Sequence, residues 1–369
     1  MNEKTGETAV SRSKLASVLA AHEGECHLIV LQDFPDPDAI SSALAHQLLS
    51  AAFNIGTDIV YNGRISHHQN IALANLLDIH MIRFAGELEA QYEGVVLVDN
   101  QGTTCQSILK KLEEDKVPIL IVVDHHEAQK QIEAEFCDIR PVGAAATIYA
   151  EYLREGIVEM DQSNEDHVRV ATALMHGLLT DTNQFVEATE ADFQAAAFLS
   201  HYCDGDLLSK IMNQSRSKQA MTAIREALEN RLLVENFSIA GVGYIRAESR
   251  DVIPQAADFL LTEENVHTVI VYGIVVDESQ NEKLVGSLRS SRITINPDTF
   301  IKEALGTDSN GRYYGGGKKA AAGFEIPLGF LSGNEDETFK ELKWQTYDSQ
   351  VKQKILAKIG VKSRDDESE

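Results

Sequence analysis

His27-Leu28-Ile29-Val30-Leu31-Gln32-Asp33-Phe34-Pro35-Asp36-Pro37-Asp38 is a short apolar run that breaks into a turn crowded with carboxylates. An amphipathic stretch, Ala39–Phe53, follows it. The same order recurs downstream. Val95–Val98 runs into Asp99 ahead of a helical pattern at Thr104–Leu112, and Ile119–Val123 runs into Asp124-His125-His126. Runs of four or five residues rich in β-branched side chains, flanked by polar turns and helical patterns, predict buried parallel strands. Strand followed by helix, repeated, predicts an open α/β sheet.

Beyond this half the character changes twice. Residues 144–208 read as helical and alanine-rich, and Leu207–Leu233 as one or two long helices bridging two domains. Ile239–Ile245, Thr268–Val276 and Lys283–Arg289 then read as strands, with a helix at Pro254–Leu261 and a last strand near Phe324–Ile326. The predicted class is therefore α/β. An N-terminal open, mainly parallel sheet with flanking helices is followed by a helical linker and a smaller α/β C-terminal domain.

The 369 residues suit two domains, and 43% apolar residues suffice for two cores. A net charge of −24 repels polyanions, which argues against a long nucleic-acid duplex as partner. Cys26, Cys105, Cys137 and Cys203 form no C-x-x-C pair, so no zinc ribbon or dithiol site is read. The apolar runs are too short for a bilayer, and a cytoplasmic protein without a membrane partner is expected.

In open α/β sheets the ligand crevice lies at the carboxyl ends of the strands. Asp36, Asp38, Asp99, Asp124, His125 and His126 would meet there. Any one of these acids could serve only as a helix cap, but together they would repel unless a cation compensated them. Oxygen donors with one or two imidazoles suit Mn²⁺ or Mg²⁺. Asp181, after the apolar stretch Val170–Leu179, is a further candidate, although alone it could be a turn residue.

These motifs resemble the DHH phosphoesterase family. Pro35-Asp36-Pro37-Asp38-Ala39 is similar to its first motif, Val98-Asp99 to its second, Asp124-His125-His126 to its third and Thr180-Asp181-Thr182 to its fourth. Gly315-Gly316-Gly317-Lys318-Lys319 through Gly323 resembles the glycine-rich signature of the DHH-associated C-terminal domain. Stand-alone members acting as nanoRNases, pAp phosphatases or dinucleotide phosphodiesterases are the most similar. The resemblance implies a catalytic metal-binding domain at residues 1–205, a helical linker at 206–234, a substrate-binding domain at 235–345, and a C-terminal helix and charged tail at 346–369.

It also implies two Mn²⁺ ions, with Mg²⁺ as the alternative. Asp36 and Asp99 would bind one ion, and Asp38, Asp99, His125 and Asp181 the other. His126 would face the substrate phosphate while Asp124 orients a histidine. Gln32 stands where the family usually has a metal-binding His, and Lys318 where its second domain usually has a His.

Gly315–Lys319 fails the spacing of a nucleotide P-loop, with Lys319 where Ser or Thr is required, and is read instead as a glycine turn approaching a phosphate, helped by Lys318. Arg289 resembles the family's phosphate-binding arginine, and His68, opening a helix, is a further candidate substrate contact. The expected activity is hydrolysis of phosphoesters in short nucleotides, by a chain for which a homodimer is open. Inorganic pyrophosphate or short polyphosphate is the alternative substrate, and a metal- or nucleotide-sensing regulator the alternative class.

Overall fold

Two β-strands with consecutive roles stand side by side at the centre of the first sheet: β1 (Cys26–Val30) and β4 (Gly94–Val98), paired in parallel. The computed structural model describes residues 14–63, 65, 68–88, 90–128, 132–214, 216–277, 279–292, 294–317, 321–333 and 336–361. They fall into two units, Met1–Gln214 and Ser215–Glu369.

In the first unit β2 (Gly56–Tyr61) and β3 (Ile82–Arg83) extend the sheet on one side of β1, and β5 (Ile119–Asp124) and β6 (Phe136–Ile139) on the other side of β4. The order is β3-β2-β1-β4-β5-β6 and every pair is parallel. Chain order reverses between β1 and β4, and a crevice opens where the connections leave to opposite sides. All five residues of β4 are buried, as is expected of a strand covered on both faces. Helices α1 (Pro37–Ala51), α2 (His68–Leu76) and α3 (Gln106–Glu114) follow β1, β2 and β4; α4 (Ala145–Arg154) to α7 (Gly205–Met212) also belong to the unit, with α5 at Glu165–Asp181 and α6 at Glu190–Leu199. Pro37 at the first position of α1 has no amide to leave unpaired, and Asp36 caps that helix by accepting from the Ala39 amide at 2.9 Å.

The second unit holds a mixed sheet: β7 (Leu232–Val234), β8 (Phe237–Arg246), β9 (Thr268–Val276), β10 (Glu282–Ser290), β11 (Gly315–Gly317) and β12 (Ala321–Pro327). Its order is β11-β12-β10-β9-β8-β7, antiparallel except for β8 with β9. Helices α8 (Lys218–Asn230), α9 (Val252–Leu260), α10 (Pro297–Leu305) and α11 (Glu337–Ile359) belong to this unit. α11 docks through Val351 and Ile355, and through a Lys343–Glu282 ion pair that is almost fully buried.

Two readings change. The stretch 206–234, read as a linker, is shared out. α7 lies in the first unit, α8 carries core residues Ile224 and Ala227 of the second, and Leu232–Val234 form an edge strand. The glycines read as a turn form β11, paired with Ala322–Phe324 of β12. A side chain at Gly317 would stand 2.2 Å from the Ala321 carbonyl oxygen, and one at Gly315 would stand 2.5 Å from that of Gly323. The glycines therefore serve close strand packing, and the Gly317 amide donates to Asp298 Oδ1 at 2.9 Å. Among the described residues no helix is long and apolar enough to cross a membrane.

Candidate metal centre

At the reversal of strand order, Asn100 ties the two central strands together. Its Nδ2 donates to the Val30 carbonyl at 3.1 Å and to the Val98 carbonyl at 2.9 Å, and its Oδ1 accepts from the Gly102 amide. Asp99 has a left-handed backbone, with φ at 56°. For a residue with a Cβ this conformation is uncommon, though aspartate tolerates it better than most, and such strain gathers at functional sites. The Asp99 amide still donates to the Val123 carbonyl at 2.9 Å, which fixes the turn against β5.

Four side chains from four elements converge here. His125 Nε2, after β5, lies 3.1 Å from Asp181 Oδ2, 3.4 Å from Asp99 Oδ1 and 3.9 Å from Asp38 Oδ2. Asp38 comes from the first turn of α1 and Asp181 from the last turn of α5. Gly177 lets these helices approach. A side chain there would stand 2.3 Å from Ser41 Oγ and 3.1 Å from Asp38 Cα.

A third helix holds Asp38 from the far side. The Ala145 and Ala146 amides, at the N-terminus of α4, donate to its two oxygens at 2.6 and 2.8 Å. Those amides would otherwise lack partners, and the positive end of the helix favours the carboxylate. The preceding loop is fastened by Asp192, whose carboxylate accepts from the Gly143 amide, Thr147 Oγ1 and the Thr189 amide and hydroxyl. In the same loop the Val142 carbonyl accepts from His125 Nδ1 at 3.1 Å, which aims Nε2 at the carboxylates.

His126 and Asp124 make a second arrangement. His126 Nδ1 lies 2.8 Å from Asp124 Oδ1 and 3.7 Å from Asp99 Oδ1. Gln101 Nε2 holds the other Asp124 oxygen at 2.6 Å. Although burial raises the Asp124 pKa, the hydrogen bonds from His126 and Gln101 bring it below the ordinary value. Gln32 Nε2 donates to Asp36 Oδ2 at 3.1 Å, while Asp36 Oδ1 caps α1.

The electrostatics of the crevice are those of crowded, buried carboxylates. Burial, with Asp181 and Asp36 nearby, pushes Asp38 up to about 7, and burial pushes Asp99 well above the carboxylate range. His125 is raised to about 10, against burial, by Asp99, Asp38 and Asp181. Asp99 Oδ1 is buried without a hydrogen-bond partner. Three carboxylates facing one imidazole, with an unpartnered oxygen among them, fit a divalent cation. Two ligand groups have the right proximity: Asp38, His125 and Asp181, and Asp99, His125 and His126. Asp36 lies outside both groups.

Sequence reasoning missed Asn100, Gln101, Asp192 and the Ala145 and Ala146 amides. Of these only Asn100, two residues before a glycine, carries a local signal, that of an Asx turn. Of the proposed substrate contacts, Arg289 lies in β10, its Nε 2.7 Å from Asp258 Oδ1 and one terminal nitrogen 2.8 Å from Ser287 Oγ. Lys318 and the His68 side chain lie outside the described residues.

The DHH family N-terminal domain matches residues 27–178, and the DHHA1 domain matches residues 240–347. The chain therefore carries a DHH family N-terminal domain followed by a DHHA1 domain. An uncharacterized protein of Methanocaldococcus jannaschii is 34% identical over 341 residues, which cover 92% of this chain and 65% of that protein. A probable manganese-dependent inorganic pyrophosphatase of Bacillus cereus is 28% identical over 176 residues, 47% of this chain and 53% of that protein. This chain thus spans only 65% and 53% of the lengths of these two relatives. The crystal structure of an exopolyphosphatase-related protein from Bacteroides fragilis superposes with a TM-score of 0.62 at 14% identity, covering 93% of this chain and 98% of that one. At that identity the likeness is one of fold.

Proposed function

We propose that this DHH chain is a metal-dependent phosphoester hydrolase acting on short nucleotides. The convergence of Asp38, Asp99, His125 and Asp181 at the reversal of strand order supports this reading. Asp38, Asp99, His125 and Asp181 would hold Mn²⁺, or Mg²⁺, with Asp99 shared between two ions and Asp36 and Gln32 completing the first. Such ions, when bound, polarise a phosphoryl group and activate water near neutral pH.

The chain's own residues do the rest. The α4 amides and Asp192 keep Asp38 in place without a search at each turnover. Asp124, held ionised, accepts from His126 Nδ1 and aims the ring, and in the imidazolium form His126 Nε2 would donate to a phosphate oxygen. The half-exposed His126 side chain suits that task. In the second unit, Arg289 is held by Asp258 and Ser287 and is proposed as a phosphate contact. Lys318, His68 and the β11 glycines are proposed as further contacts. The substrate would be a short nucleotide, cleaved by a monomer or homodimer.

Inorganic pyrophosphate is the second reading, supported by the name of the Bacillus cereus relative. Purified chain with Mn²⁺ should be assayed against pApA, pAp, cyclic dinucleotides and pyrophosphate. Turnover of the nucleotides is expected. Turnover of pyrophosphate alone would select the second reading, and binding without turnover would make the chain a sensor.

A further inference from the structure

At the opposite end of β1 from the DHH centre, His22, Glu25 and His27 turn three ligand atoms toward one point. Glu25 Oε2 lies 2.8 Å from His22 Nδ1 and 3.0 Å from His27 Nε2. One donor atom from each residue falls within 4.8 Å of the others. At ~3.3 Å per residue, the five residues from His27 to Gln32 separate this cluster from the DHH centre by about 16 Å.

We infer that His22, Glu25 and His27 form a second divalent-cation site, of the zinc class, independent of the hydrolase centre. Tetrahedral zinc with bonds of about 2.0–2.1 Å sets its ligands about 3.3 Å apart. The observed 2.8 and 3.0 Å to Glu25 need to open by only a few tenths of an ångström, and the two histidine donor atoms lie within 4.8 Å of each other.

Proton placement supports the assignment. His22 Nε2 lies 3.2 Å from Glu135 Oε2, so both of its ring nitrogens face carboxylate oxygens. Without an ion both must donate, which requires the charged imidazolium. An ion at Nδ1 would replace the proton shared with Glu25 and leave neutral His22 donating from Nε2 to Glu135. That carboxylate–histidine–metal order is the usual support of a zinc ligand.

His27 is fully buried, and its ring packs where a side chain at Gly94 would stand 3.2 Å from Cδ2. Its Nδ1 has no hydrogen-bond partner. Binding through Nε2 would place the proton on Nδ1, opposite no acceptor. The site is therefore expected to hold zinc more weakly than a closed structural site does. Because Glu135 immediately precedes β6, an occupied site would clamp the turn before β1 to the edge of the sheet.

Equilibrium dialysis of the full chain against Zn²⁺ tests this. His22→Ala should bind one zinc ion fewer than the wild type, with Mn²⁺ stoichiometry and pApA hydrolysis unchanged. Glu135→Gln removes no proposed ligand, so it tests the site even where His22→Ala fails to fold. It should weaken that zinc about 10–100-fold. Equal zinc stoichiometry and affinity in wild type and Glu135→Gln, or an equal count in folded His22→Ala, would overturn the assignment and leave a hydrogen-bonded cluster.

Discussion

Asp192 accepts the Gly143 amide at 3.0 Å across 49 residues of chain, and that bond anchors the loop that holds two proposed metal ligands at once. One residue before Gly143, the Val142 carbonyl fixes His125; two and three residues after it, the Ala145 and Ala146 amides fix Asp38. Asp192→Asn would turn an amide N–H₂ toward groups that are themselves donors. Each donor left unpaired costs about 1–3 kcal/mol, so the variant should melt lower. Its Mn²⁺ affinity should also fall about 10–100-fold, as for other supports of metal ligands. Titration calorimetry on folded variant decides this, and unchanged affinity would make Asp192 a brace for α6 only.

Gly177 sets the spacing of α1 and α5. In an open helix Gly→Ala should stabilise by about 1 kcal/mol, but here the new methyl would meet Ser41 Oγ and Asp38 Cα. Overpacking of this kind costs about 1–3 kcal/mol, so Gly177→Ala should lower stability or leave it level. Hydrolysis should suffer more than stability, because α5 carries Asp181. Adding Ser41→Gly to Gly177→Ala should restore part of the activity, and kcat/KM with Mn²⁺ in excess is the readout.

His46 gives a pH dependence separate from metal binding. It is fully buried beside the Tyr149 hydroxyl, and burial pushes its pKa down to about 3. Between that value and the ordinary 6.5 the unfolded chain binds a proton that the folded chain refuses. Stability is therefore complete above pH 6.5 and lost as pH falls below it, at about 1.4 kcal/mol per pH unit for this group. Urea unfolding in EDTA at pH 7.5, 6 and 5 should show His46→Asn losing less stability than the wild type on acidification. Parallel curves would contradict a neutral buried His46.

The parts of this picture legible in sequence are those whose cause is local. Val95–Val98 had to be a covered strand because four β-branched or leucine residues in a row leave no polar face, and Asp99 follows it directly. The acids of the centre sit at strand or helix ends, where chain order alone brings them together. What stayed hidden depends on distance. Nothing near Asp192 or Ala145 announces that one braces and the other holds a carboxylate 107 residues away. Phe136–Ile139 is short and carries Asp138 inward, so its apolar signal is weak. The Gly315–Gly317 triplet carries a turn signal, and only pairing with a strand formed later in the chain turns it into β11.

The most direct test of the account is hydrolysis of pApA by the full chain stripped of metal with EDTA and then reloaded. Activity should vanish on stripping and return with Mn²⁺ in the wild type. In Asp99→Asn it should not return, since the negative charge of the proposed shared ligand is gone. Full hydrolysis in excess EDTA, or an Asp99→Asn protein as active as the wild type, would contradict the metal centre itself.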